Sequence, residues 1–277
     1  MTRPEPQLAA MRSHMDLLGL PINPAGVEQV HEFIEEVVTR KQKAIALNLN
    51  VFCVNLALKH RWLHEFIRSA HLVFCDGDGV RLGLRLLGHS PPPKVTYNEW
   101  LWQLSAFCEK KQFRLFLVGG EPGVAVEAAT RLTQKYPRLQ IAGIHHGFFR
   151  KQGDESEKVI AQINEVSPDI LLVCFGMPAQ ERWICDNWQA IDARVFLKGG
   201  AALDYASGRL RKAPSWLVRT HFEWFYRLLQ DPRRLFTRYV LGNPYFLMRV
   251  LVERSTSPFR ARPTNSLTSS VPNRRAE

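Results

Sequence analysis

The chain has 277 residues, and its 45% hydrophobic and 23% charged content is that of a folded globular protein, which excludes a disordered body. A formal net charge of +11 calls for an anionic partner: nucleic acid, an acidic membrane surface or a phosphate-rich substrate. The five cysteines (Cys53, Cys75, Cys108, Cys174, Cys185) form no CxxC pair and mostly sit in apolar runs, so buried reduced thiols of a cytosolic protein are expected rather than disulfides or zinc. The first twenty residues lack a long apolar signal core, and no uncharged apolar run approaches the roughly 20 residues of a membrane span. Any membrane contact is therefore expected to be peripheral.

In chain order the pattern predicts a strand over Ala44–Leu49, a helix over Val51–Ser69, a strand over Leu72–Cys75, and helices over Gly79–Leu87 and Asn98–Lys111. A strand at Arg114–Val118, a helix at Gly123–Tyr136, a strand at Gln140–Ile144 and a helix at Asp154–Val166 follow. The series ends with a strand at Ile170–Phe175, a helix at Ala179–Gln189 and a strand at Val195–Leu197. The strands are apolar on both faces, as a buried parallel sheet requires. The expected fold is α/β and Rossmann-like, a mainly parallel sheet flanked by helices, with a C-terminal helical appendage. Pro214–Glu253 reads as helices broken at Asp231-Pro232. The expected divisions are a catalytic domain over 1–209, a basic aromatic appendage over 210–254 and a disordered tail over 255–277.

Ligands of such sheets sit beyond the carboxyl ends of the strands. Asp76 and Asp78 in Phe74–Gly79 (FCDGDG) occupy one such position. Three readings compete there: a carboxylate pair holding a divalent ion against a nucleotide diphosphate, a single general base, or a turn in which aspartate bonds its own backbone. Residue types alone leave them open. In Leu117–Ala125 (LVGGEPGVA), Gly119, Gly120 and Gly123 suit close approach of backbone amides to a phosphate, or equally a tight strand–helix turn. In Phe175–Trp183 (FGMPAQERW), Gly176 and Pro178 shape the turn. Gln180 and Glu181 could read a uracil edge or sugar hydroxyls, or Glu181 could simply complement the helix dipole. Gly200, Asp204, Arg211 and Lys212 form a third set, whose cations could meet a diphosphate or face solvent. His145 and His146 follow a strand and could be polar site groups, but no spaced ligands accompany them, so zinc is not expected.

Read together, these segments resemble the WecG/TagA/CpsF glycosyltransferase family (glycosyltransferase family 26) from roughly Leu18 to Leu251. The markers are D-G-x-G (Asp76, Gly77, Gly79), GG-x-x-G (Gly119, Gly120, Gly123) and G-x-P-x-Q-E-x-W (Gly176, Pro178, Gln180, Glu181, Trp183). G-x-x-x-D-x-x-x-G (Gly200, Asp204, Gly208), R-x-A-P-x-W (Arg211, Ala213, Pro214, Trp216), E-W-x-x-R (Glu223, Trp224, Arg227) and P-x-R (Pro232, Arg234) complete them. The resemblance implies transfer of a sugar, often N-acetylmannosamine, from a UDP donor to an undecaprenyl-diphosphate-linked sugar. It makes Asp76 the base, leaves the Asp78 position variable and implies no metal. Two departures lie near the sugar: Asn48 stands where the family commonly has threonine (Asn50 matches), and Lys94-Val-Thr-Tyr97-Asn-Glu99 stands where R-x-x-G-x-D is common. The donor hexose is therefore left as N-acetylmannosamine-type or glucose-type.

The resulting expectation is an inverting, metal-independent and cofactor-free transfer, peripheral on the inner face of the cell membrane, in cell-surface polysaccharide synthesis. Asp76 deprotonates the acceptor. Asn48, Asn50, Lys94, the marker glycines, Gln180, Glu181, Asp204 and Arg211 contact substrate, while Arg227, Arg234 and Arg238 serve the acceptor diphosphate and anionic lipid. Homo-oligomerisation is left open. Two rivals remain: a metal-dependent sugar-nucleotide enzyme using Asp76 with Asp78, and a non-catalytic nucleic-acid-binding module. Against the latter, the C-terminal aromatics lie among large aliphatic residues at helical spacing, which suits a core or lipid contact better than base stacking.

Overall fold

The computed structural model describes residues 13–214, 217, 220 and 223–256, apart from the side chains of Glu223 and Arg234. A short antiparallel hairpin opens it, β1 (Met15–Leu17) with β2 (Leu20–Ile22), followed by α1 (Val27–Thr39). Neither was expected from the sequence. Three-residue strands are too short to display a period. Six parallel strands form the body: β3 (Ala44–Leu49), β4 (Leu72–Cys75), β5 (Arg114–Gly119), β6 (Gln140–His145), β7 (Ile170–Cys174) and β8 (Val195–Lys198). Their order across the sheet is β4-β3-β8-β7-β5-β6. Every residue of β3, β4, β7 and β8 is buried, as helices on both faces demand.

One core packs α1, α5 (Tyr97–Lys111), α6 (Val124–Lys135) and α9 (Ala202–Ser207) on one face of the sheet. The other face carries the hairpin with α2 (Val51–Lys59), α3 (Arg61–Arg68), α4 (Asp78–Leu86), α7 (Asp154–Val166) and α8 (Ala179–Asn187). The single helix expected over Val51–Ser69 is in fact α2 and α3, because His60 between them is extended (φ −122°, ψ 106°). No proline or glycine marks that break, so composition could not reveal it. The chain runs from β3 out to one edge at β4, jumps to β5 and β6 at the other edge, and returns through β7 and β8 to the middle. That reversal opens a crevice at the carboxyl ends of the strands.

Beyond the body lie α10 (Glu223–Gln230), α11 (Pro232–Phe236), a π-type turn (Thr237–Leu241) and α12 (Gly242–Thr256). Pro232 opens α11, where its missing N–H costs nothing. Phe246 and Val250 of α12 are fully buried, and a Cβ added to Gly83 of α4 would sit 2.6 Å from the Phe246 ring. Asn55 of α2 donates to the Gly242 carbonyl at 2.8 Å. The appendage is thus docked on the α2–α4 face by a few anchors. Ser255 and Thr256 end α12; the rest of the tail read as disordered, together with Trp216, lies outside the described residues.

Candidate active site

The parallel register builds the centre of the site. Leu49 is aligned with Cys75, so Asn50 and Asp76 leave adjacent strands side by side, and the Asp76 amide donates to the Leu49 carbonyl at 2.9 Å. Asn48, two residues before Asn50, points to the same side of the strand. Both amides converge on one carboxylate oxygen. Asn48 Nδ2 lies 2.7 Å and Asn50 Nδ2 3.4 Å from Asp76 Oδ2. The Asn50 side-chain oxygen Oδ1 meanwhile accepts from the Cys53 amide at 3.0 Å, capping α2. Gly77 turns the chain away behind Asp76 with φ +97°, a conformation closed to most side chains.

Asp76 faces a cleft of about 550 Å³ lined by the ends of β3, β4, β5, β7 and β8 and by α9 and the appendage. Of the residues predicted for the site, Asn48, Asn50, Asp76, Gly120, Gly176, Gln180, Gly200, Asp204, Arg227 and Arg238 line it. Gly77, Gly79 and Lys94 line an adjoining hollow of about 160 Å³ that also reaches Asn50, Asp76, Arg227 and Arg238. Asp78 opens into this hollow, where Lys94 Nζ lies 2.9 Å from its Oδ2 and Arg81 Nη1 3.4 Å from its Oδ1.

Residues 15–259 match the Glycosyl transferase WecG/TagA/CpsF family. The chain belongs to it. This glycosyltransferase is 27% identical over 235 residues to the N-acetylglucosaminyldiphosphoundecaprenol N-acetyl-beta-D-mannosaminyltransferase of Bacillus subtilis (strain 168), covering 84% of this chain and 90% of the relative. A protein of the same name from Bacillus spizizenii is 29% identical, with 73% and 76% covered, and one from Staphylococcus aureus (strain MRSA252) is 26% identical, with 80% and 86% covered. Membership in this family makes the chain an enzyme and removes the non-catalytic reading.

Several family markers serve the transferase from behind the cleft. Glu181 is wholly buried and does not line it. Its Oε1 lies 2.9 Å from the equally buried Lys198 Nζ, which is also 3.1 Å from Cys53 Sγ. Burial works against the Lys198 ammonium, yet Cys53 and the Glu181 carboxylate outweigh it and hold the group above its ordinary value. Gln180 links this pair to the cleft: its Nε2 donates to Glu181 at 3.2 Å, and its Oε1 accepts from the Gly200 amide at 3.0 Å. Strand β8 was expected to stop at Leu197, which left Lys198 unnoticed.

The glycine loops of the transferase are also largely committed to packing. Gly119 has φ +150°, and a Cβ there would lie 2.3 Å from the Cys174 carbonyl oxygen, so only glycine lets β5 and β7 approach. The Gly120 amide donates to the Cys174 carbonyl at 3.1 Å. The amide of Gly120, in the loop read as a phosphate cradle, and that of Gly200 therefore already have partners. Gly123 and Pro178 cap α6 and α8 outside the cleft lining. Arg211 is exposed and away from the cleft, its carbonyl accepting from Gln230. His145 and His146 do not line the cleft either; Gly147 and Phe148 of the same loop do. The lining cations are instead Arg227, stacked 5.6 Å from Tyr205, and Arg238, 4.7 Å from Phe52. The Arg234 side chain lies outside the described set. Tyr97, from the Lys94–Glu99 segment expected near the sugar, lines the cleft, as do Phe52, Tyr205 and Phe148, which were not singled out as site residues. Aromatic residues in apolar surroundings give no sequence signal that separates wall from core.

Proposed function

We propose that this enzyme is an inverting, metal-independent glycosyltransferase that moves a hexose from a UDP-linked donor to a polyprenyl-diphosphate-linked sugar in cell-envelope polysaccharide synthesis. The observation that carries this reading is Asp76 at the cleft floor with Asn48 and Asn50 both holding Oδ2. This arrangement orients the carboxylate and leaves Oδ1 to take the proton of an acceptor hydroxyl. The relatives' names specify a beta-D-mannosaminyl product. From an α-linked nucleotide donor that product requires a single displacement, which needs one base and no protein nucleophile. In the step, the acceptor oxygen bonds the anomeric carbon as its proton passes to Asp76, and the bond to the nucleotide diphosphate breaks. Arg227 and Arg238 meet the charge that develops on the departing diphosphate.

A metal-free site is supported by the company Asp78 keeps: Lys94 and Arg81 engage its carboxylate, so it is not turned toward an ion shared with Asp76. The transfer itself is tested by screening UDP-sugars against a polyprenyl-diphosphate-linked N-acetylglucosamine acceptor with mass read-out, with and without EDTA.

The appendage is the membrane-facing part of this proposal. No helix among the described residues is long and apolar enough to cross a membrane. Leu229, Phe236, Leu241, Met248, Leu251 and Val252 are nonetheless more than half exposed, interspersed with arginines. Apolar side chains beside cations suit anionic headgroups. Exchanging Leu229 and Leu241 together for glutamate should abolish co-sedimentation with anionic vesicles at low salt while leaving thermal stability within about 1 kcal/mol, since both are exposed. Unchanged vesicle binding would remove the membrane assignment.

A further inference from the structure

The wall of the cleft beside Asp76 contains a polar group that nothing among the described residues satisfies. Tyr97, the first residue of α5, lines the cleft and is 5% exposed. Its ring is fixed on two sides, 4.9 Å from Trp100 and 6.4 Å from Phe74 between centroids, in edge and tilted contacts. Among the described residues its hydroxyl, closed to bulk solvent, has no hydrogen-bond partner. A buried hydroxyl in that condition is destabilising, and such exceptions call for a reason. Burial pushes the phenol well above its ordinary pKa, so the group is a neutral donor in the cleft that Asp76 also lines.

We infer that Tyr97 is a specificity-determining residue for the transferred hexose: its ring narrows the cleft beside Asp76, and its hydroxyl takes its missing partner from an oxygen substituent of that sugar. The inference rests on the transferase reading above and extends it to the donor. Other candidates carry less. Lys198–Glu181 is walled off from the cleft, and His31, bonded to Trp100, and Glu127, bonded to Arg209, do not line it. A site that hydrogen-bonds a substrate oxygen discriminates more sharply than an apolar wall, because a sugar lacking that oxygen leaves the protein group unpaired.

Tyr97→Phe removes the hydroxyl and keeps the ring. The variant should melt no lower than the wild type, since it loses an unsatisfied polar group. It should bind UDP alone as the wild type does, because UDP carries no hexose. Transfer from the preferred UDP-hexose should fall about tenfold in kcat/KM, and the preference over hexoses lacking one oxygen substituent should shrink by a similar factor. Wild-type kcat/KM and preference in Tyr97→Phe would overturn the inference, as would a markedly lower melting temperature, which would reveal a partner within the protein. A wild-type protein inert with every UDP-hexose would overturn the transferase reading itself and this inference with it.

Discussion

Asp76→Asn should lower kcat by roughly 10²–10⁴-fold, the usual contribution of a positioned general base, with UDP affinity unchanged within about twofold. The substitution preserves shape, and its amide oxygen can still accept from Asn48 and Asn50 where Asp76 Oδ2 does now. Folding should survive, so the lost rate reports chemistry rather than structure. Asparagine cannot accept the acceptor proton, which leaves the attacking hydroxyl uncharged enough to be a poor nucleophile. Stopped assays of hexose transfer and calorimetric UDP titration on the same preparation separate the two effects. A rate within threefold of the wild type would show that another group takes the proton.

Lys198→Met should destabilise the protein by about 3–5 kcal/mol, the range found when one member of a buried ion pair is removed. Lys198 is 1% exposed and Glu181 0%, so no water reaches the orphaned carboxylate. The pair is already only partly satisfied, since Glu181 Oε2 is buried without a partner among the described residues. For a body of this size the loss corresponds to a fall of about 6–20 °C in melting temperature. The double variant Lys198→Met with Glu181→Gln should recover much of it, because the uncompensated charge is gone while Gln180 keeps an acceptor. Thermal melts of both single variants and the double close the cycle; additive losses would mean the two side chains do not act as a pair. Transfer activity should fall with Lys198→Met as well, since the same chain of contacts runs through Gln180 to the Gly200 amide on the cleft wall.

The sheet was legible because its strands are apolar on both faces, a pattern that solvent-facing strands do not show. The topological rule then found the rim positions, and Asn48, Asn50, Asp76, Gly120, Gly176 and Gly200 do meet there. What the sequence hid was direction. Gln180 and Glu181 are neighbours, yet one lines the cleft and the other points into the core at a lysine 17 residues away. A charged residue on a strand end and another in a first helical turn become a pair only when packing brings them together. The same holds for the cations: Arg211 lies nearer the glycine loops in sequence, but Arg227 and Arg238 reach the cleft because α10 and the turn before α12 fold back over it. The appendage was read as either core or lipid contact, and its residues divide. Phe246 and Val250 bury against the body, while Leu229 and Leu241 remain outside.

Asp76 as sole base, with arginines steadying the departing diphosphate, is tested most directly by transfer in the presence of EDTA. Purified enzyme is incubated with UDP-hexoses and a polyprenyl-diphosphate-linked N-acetylglucosamine, and the product is read by mass and by the anomeric coupling of the new linkage. The expected product is heavier by one hexose unit, inverted at the anomeric carbon, and formed at the same rate with the chelator as without. Loss of transfer in EDTA restored by a divalent ion, or retention of anomeric configuration, would contradict the account.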